Sequence, residues 1–177
     1  MLKPLLASLG LLFLIAGGCG KKMSEEQLFA AAQQFEVKED IDGALKTYEE
    51  LSERFPGSPH ADSVLQKLGM IYLNKKAQFD KAVATYERLV EKFPRSKYQP
   101  QSIFMIGYIY ANHIKNFEKA RASYDQFIAK YPEHELTASV QWELEHLGKD
   151  ISEIDIFDGA SKADGKTDGA TGSSTKL

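Results

Sequence analysis

The chain has 177 residues with 22 Lys+Arg against 25 Asp+Glu, a formal charge of −3. That length fits one domain of ordinary size plus tails, and the balance lacks the basic surplus or stripe of a nucleic-acid binder. Apolar residues make up 43%, with ten Phe and eight Tyr, enough for a core. The single cysteine excludes an intramolecular disulfide framework and any Cys-pair zinc site, and four scattered histidines leave little for a metal site.

Residues 1–18 have the layout of an export signal: Lys3, then the apolar run Leu5 to Ala16, then small residues Ala16, Gly17 and Gly18. Leu5 to Gly18 spans 14 residues, short of the ~20 that a membrane-spanning helix needs. The only cysteine, Cys19, follows the small residues directly. This resembles a bacterial lipoprotein signal, with Ala16 where that motif favours Leu. An ordinary signal cut nearby is the other reading of these residues. The resemblance implies that Cys19 becomes the first residue of the mature chain and carries a diacylglyceryl group on sulfur and a further acyl chain on its amine. Two or more acyl chains anchor a protein stably. Residues 19–23 would then be a lipidated cysteine and a short tether. Gly20 follows the cysteine, where an Asp would hold enteric-type lipoproteins at the inner membrane. The resemblance therefore implies the periplasmic face of the outer membrane.

A 38-residue repeat follows. Phe55-Pro56 recurs as Phe93-Pro94 and Tyr131-Pro132, Ala44 as Ala82 and Ala120, and Tyr48 as Tyr86 and Tyr124. The same step carries Gly69 to Gly107, Tyr72 to Tyr110, Asn74 to Asn112 and Phe79 to Phe117. Each unit reads as two helices. In the second helix Phe79, Ala82, Val83, Tyr86, Leu89, Val90 and Phe93 form an amphipathic stripe. Pro56, Pro94 and Pro132 stop these helices. The first helix is different: Ile103, Phe104, Ile106, Tyr108, Ile109, Tyr110 and Ala111 point nearly all round the axis, as in a helix packed on more than one side. Ser24-Glu25-Glu26-Gln27 is a capping box and opens the first unit. Asp40 and Asp42 flank the next helix start, where carboxylates favour the positive end of the dipole.

The repeat resembles the tetratricopeptide repeat, on Leu68-Gly69, Tyr72, Ala82, Tyr86 and Pro94 and on Ile106-Gly107, Tyr110, Ala120, Tyr124 and Pro132. The implied fold is all-α, a right-handed solenoid of three helix-turn-helix units over residues 24–150. The units fall at about 24–59, 60–97 and 98–136, with a capping helix at 137–147. Ala82 and Ala120 are expected where the two helices of a unit cross. Residues 151–177 form a tail. It opens with the apolar patch Ile151–Phe157, which could lie against the last helix, and from about residue 159 it has too few large apolar side chains to order itself.

No catalytic constellation emerges: HExxH, GxSxG and a Gly-rich phosphate loop are all missing from the sequence. His113 and His134 are expected as solvated loop residues. The chain is expected to be non-enzymatic, without cofactor or metal. In the repeat family the inner helices line a concave groove. By register this assigns Met70, Leu73 and Asn74, then Phe104, Tyr108 and Asn112, then Trp142. Trp142 lies about 160° from Leu144 at 100° per helical residue, off the stripe of Val140, Leu144 and Leu147. Exposed aromatics in a groove anchor protein partners. Phe104, Tyr108 and Trp142 also fit a second reading, in which they pack on neighbouring helices or on Ile151–Phe157.

Repeat endings such as Phe93-Pro94-Arg95-Ser96 resemble two envelope families. One is the D component of the outer-membrane β-barrel assembly machine; the other is the repeat domain of the Tol-Pal-associated cell-division coordinator. The resemblance implies a lipid-anchored periplasmic adaptor that binds other envelope proteins and touches the membrane through lipid on Cys19. Outer-membrane assembly is the favoured role and a Tol-Pal-type division coordinator the alternative. A solute- or glycan-binding lipoprotein is the alternative of another class.

Overall fold

The computed structural model of the chain describes residues 22–149. The signal segment and Cys19, like Ile151–Phe157 and the tail beyond it, lie outside the described residues. Those residues form α1 (Glu25–Val37), α2 (Ile41–Arg54), α3 (Ala61–Asn74), α4 (Phe79–Lys92), α5 (Gln99–Ile109), α6 (Phe117–Lys130) and α7 (Thr137–Glu145). A π-helical turn, Tyr110–Ile114, extends α5. Among the described residues there is no strand and no helix long and apolar enough to cross a membrane.

The helices α2, α4 and α6 each hold 14 residues and start and stop 38 residues apart. The sequence register is thus the register of the fold. Each helix packs on the next in chain order, so that three hairpins stack and α7 closes the row. The fold is an all-α, tetratricopeptide-like solenoid.

The recurring small residues are buried, and the two repeated glycines sit where helices approach closely. Ala44, Ala82 and Ala120 are fully buried. A Cβ built on Gly69 would sit 2.6 Å from the Tyr86 ring, and one on Gly107 would sit 2.5 Å from the Tyr124 ring. Glycine lets the ring of the second helix lie on the backbone of the first. Each such tyrosine, like Leu51, Leu89 and Phe127 beside it, is at most 1% exposed. Burying a large apolar side chain contributes roughly 1.5–3 kcal/mol, so these stripes hold the hairpins together.

Two kinds of turn repeat with the helices. Within each unit the chain reverses through one left-handed residue, Glu39 (φ 57°), Ala77 (φ 50°) or Lys115 (φ 61°). These three occupy one register position. Between units the proline ends the helix, and a side chain two residues on then caps the turn. The Ser58 hydroxyl accepts the His60 N–H at 2.9 Å, and the Ser96 hydroxyl accepts the Tyr98 N–H at 3.1 Å. In the third copy the Nδ1 of His134 accepts the Leu136 N–H at 3.1 Å. His134 is therefore a turn cap rather than a solvated histidine. His113 is exposed yet stacked on Phe79, ring centres 4.2 Å apart, so the expectation of a purely solvated side chain is corrected there too.

The capping box is formed at α1: the Ser24 hydroxyl accepts the Gln27 N–H at 3.3 Å, and the Gln27 side-chain Oε1 accepts the Ser24 N–H at 2.9 Å. The Asp40 and Asn116 side chains cap α2 and α6 without a reciprocal bond, accepting the N–H groups of Gly43 and Lys119 at 2.9 and 3.0 Å. Gln78, at the same register position, makes no cap for α4. The last helix closes at Glu145, two residues before the expected end, and the chain turns through Gly148 at φ 81°.

Candidate functional site

The residues that the register assigns to the groove lie on the first helix of each unit. On α3, Met70 and Asn74 are one turn apart and exposed, Met70 at 43%. They border a recess of about 470 Å³ between the first and second units, together with Glu36, Glu39, Ile41, Lys67, Ile71 and Lys75. Lys67 and Glu36 pair across it at 3.0 Å. The Tyr48 hydroxyl also donates to Glu36, at 3.1 Å. Burial, with the Glu36 carboxylate adding to it, raises the Tyr48 hydroxyl well above the ordinary tyrosine range. The recess thus has an apolar wall of Met70, Ile71 and Ile41 and a fixed charge pair at its rim.

One unit further on, Tyr108 stands in the register of Met70 and Asn112 in that of Asn74. Tyr108 is half-buried and Asn112 exposed, its amide donating to the Tyr108 carbonyl at 3.1 Å. The Tyr108 ring meets His113 edge-on at 5.8 Å. Phe104 is half-buried, 6.2 Å from both Tyr108 and Tyr124, and packs on the core. Trp142, 48% exposed, stands apart on α7 and stacks on His146 at 4.5 Å.

Leu73 does not belong with them. It is 7% exposed and part of the hydrophobic core. One residue is 100° of helix, and that step turns Leu73 inward while Asn74 stays out. The copy 38 residues on, Ala111, is buried as well.

Sequence reasoning missed the polar ties between inner helices. The buried Gln66 amide donates to Gln101 at 3.0 Å, and the Ser102 hydroxyl donates back to Gln66 at 3.3 Å. Gln66 lies in the register of Phe104, so a search for repeated aromatics passes over it. Among the described residues no three His, Cys, Asp or Glu side chains converge as metal ligands.

The first helices of the units thus form a row beside a recess of mixed charged and apolar character. The family described as outer membrane lipoprotein, YfiO, matches residues 21–157, and the chain belongs to it. Among solved structures, a tetratricopeptide repeat protein from Parabacteroides merdae superposes with a TM-score of 0.58 at 19% identity. That match covers 70% of this chain and 45% of the other, so this chain spans less than half of that protein's length. It supports the fold alone. No curated protein matches significantly.

Proposed function

We propose that this protein is a lipid-anchored adaptor of the cell envelope that holds partner proteins on its inner face. The reading assigns no catalysis to it. Its anchor is lipid on Cys19, and its station is the periplasmic face of the outer membrane, with outer-membrane protein assembly as the favoured setting. The observation that carries the reading is the exposed pair Met70 and Asn74 lining the recess between α1 and α3, with exposed Asn112 and half-buried Tyr108 at the same register one unit on. Phe104 lies beside Tyr108. The family supports the envelope setting.

The recess suits a peptide segment. Its apolar wall offers a place for one or two side chains, and Asn74 and Asn112 offer donors and acceptors to a backbone. The Lys67–Glu36 pair favours a segment that is polar at its edge.

A crosslinked pull-down from membranes tests both halves. The wild-type chain should fractionate with membranes, its N-terminal peptide should begin at an acylated Cys19, and it should bring down a discrete partner. Met70→Asp combined with Tyr108→Ala should keep the melting temperature and lose that partner, since truncating a true anchor costs ~2 kcal/mol or more, ~30-fold in affinity. An unmodified Cys19 contradicts the anchor. Full retention of every partner by the folded variant contradicts the inner-face reading.

A further inference from the structure

Five large apolar side chains are exposed among the described residues, and two of them, Phe117 and Trp142, flank the C-terminal end of the solenoid. The repeat register says what should cover each. Phe79, one unit before Phe117, is stacked under His113 at 4.2 Å. The same 38-residue step takes Phe79 to Phe117 and His113 to Ile151. Trp142 occupies the register of Gln66 and Phe104. Gln66 is buried because Gln101 and Ser102, on the following inner helix, close over it. Phe104 is half-buried. This register position therefore faces the next unit, and after α7 no helix follows among the described residues.

The chain itself supplies what comes next. Gly148 turns at φ 81°, with the Lys149 N–H donating to the His146 carbonyl at 3.0 Å. A Cβ on Gly148 would lie 3.5 Å from the Phe117 ring, so the chain leaves α7 beside Phe117. Ile151, Ile154, Ile156 and Phe157 follow at once. The family match extends through these residues and ends at Phe157. Beyond Phe157 the only large apolar side chain is Leu177. The reach is short. Trp142 is about 6 Å along the helix from His146 at 1.5 Å per residue, which two extended residues span.

We infer that Ile151–Phe157 is the end cap of the solenoid, with Ile151 laid on Phe117 and the Ile154–Phe157 stretch laid over Trp142. The cap takes the place of a fourth unit's second helix, whose alanine and tyrosine would fall at Asp158 and Lys162 and so are missing. Terminal repeats need such a cover because their last face has no neighbour. Trp142 is then a sealing residue rather than a partner anchor.

Trp142 is the sole tryptophan, so its fluorescence reports the cap alone. In the full chain, purified in detergent, its emission should be blue-shifted and protected from acrylamide at all protein concentrations. Ile154→Asp with Phe157→Asp should shift the emission to the red and raise acrylamide accessibility several-fold, with far-UV circular dichroism retained. Should that double variant unfold, Phe157→Ser read well below its melting temperature should show the same shift in smaller degree. Leu177→Asp should change nothing. Equal accessibility in wild type and variants overturns the proposal. Protection that grows with protein concentration overturns it in favour of a second copy, and protection seen only with an added envelope partner overturns it in favour of that partner.

Discussion

Three tyrosines at one register position, Tyr48, Tyr86 and Tyr124, are buried alike but satisfied differently. The Tyr48 hydroxyl donates to Glu36 and the Tyr124 hydroxyl to Glu143 at 3.3 Å, while the buried Tyr86 hydroxyl finds no partner. An unpaired buried hydroxyl costs desolvation without return. Tyr86→Phe should therefore leave stability unchanged or raised, while Tyr48→Phe should lower it by roughly 0.5–1.5 kcal/mol in urea denaturation. Burial also raises the ionisation of these three hydroxyls and of Tyr72 far above the ordinary value near 10. Their folded forms hold the proton more tightly than the unfolded chain. The stabilisation is fully present below pH 10 and is lost as pH rises past it. Thermal melts from pH 8 to 12 should fall steeply above 10, and absorbance titration at high pH should show the buried group ionising only as the domain unfolds. A set of tyrosines titrating normally in the folded domain contradicts this.

At the scale of the element, the turns within units bear the least favourable local conformations. A non-glycine residue held left-handed costs roughly 1–2 kcal/mol, and each unit has one, at Glu39, Ala77 or Lys115. No glycine marks those positions, so the left-handed conformation has no signature in the residue types. The π-helical turn at Tyr110–Ile114 went unread for a similar reason, since its residues continue the apolar pattern of α5. The second helices, by contrast, were legible: stripe and proline agree in every copy. The one cap that fails is Gln78, where Asp40 and Asn116 succeed. Gln78→Asp should stabilise the domain by about 0.5–2 kcal/mol, read as a higher melting temperature. An unchanged melting temperature would mean that the α4 terminus is satisfied in another way.

Across the whole molecule, the two ends of the solenoid are unlike. On α1 the face that carries Leu65, Leu68 and Tyr72 in the second unit holds Gln27, Ala30 and Gln34 instead. Leu65, Leu68 and Tyr72 are buried, whereas Gln27, Ala30 and Gln34 are exposed and need no cover. At the C-terminal end, among the described residues, the large apolar side chains Phe117 and Trp142 are exposed and do need a cover. Of the residues that the register assigns to the groove, Met70, Asn74 and Asn112 are exposed and so accessible to a partner. The register misplaced Leu73 because family positions transfer by number, while burial follows the angle around a helix that here packs on both sides. It also could not tell Phe104 from Gln66, since which residue at that position is covered depends on the next unit and not on the residue.

The central claim is that the inner face, rather than the outer one, holds a partner. A photocrosslinking amino acid placed in living cells at Met70, Asn74, Tyr108 or Asn112, and for comparison at exposed Ala84, Arg121 or Gln126 on the second helices, tests it directly. The account predicts one discrete crosslinked species from the four inner positions and none from the three outer ones. Adducts from the outer positions alone would contradict it.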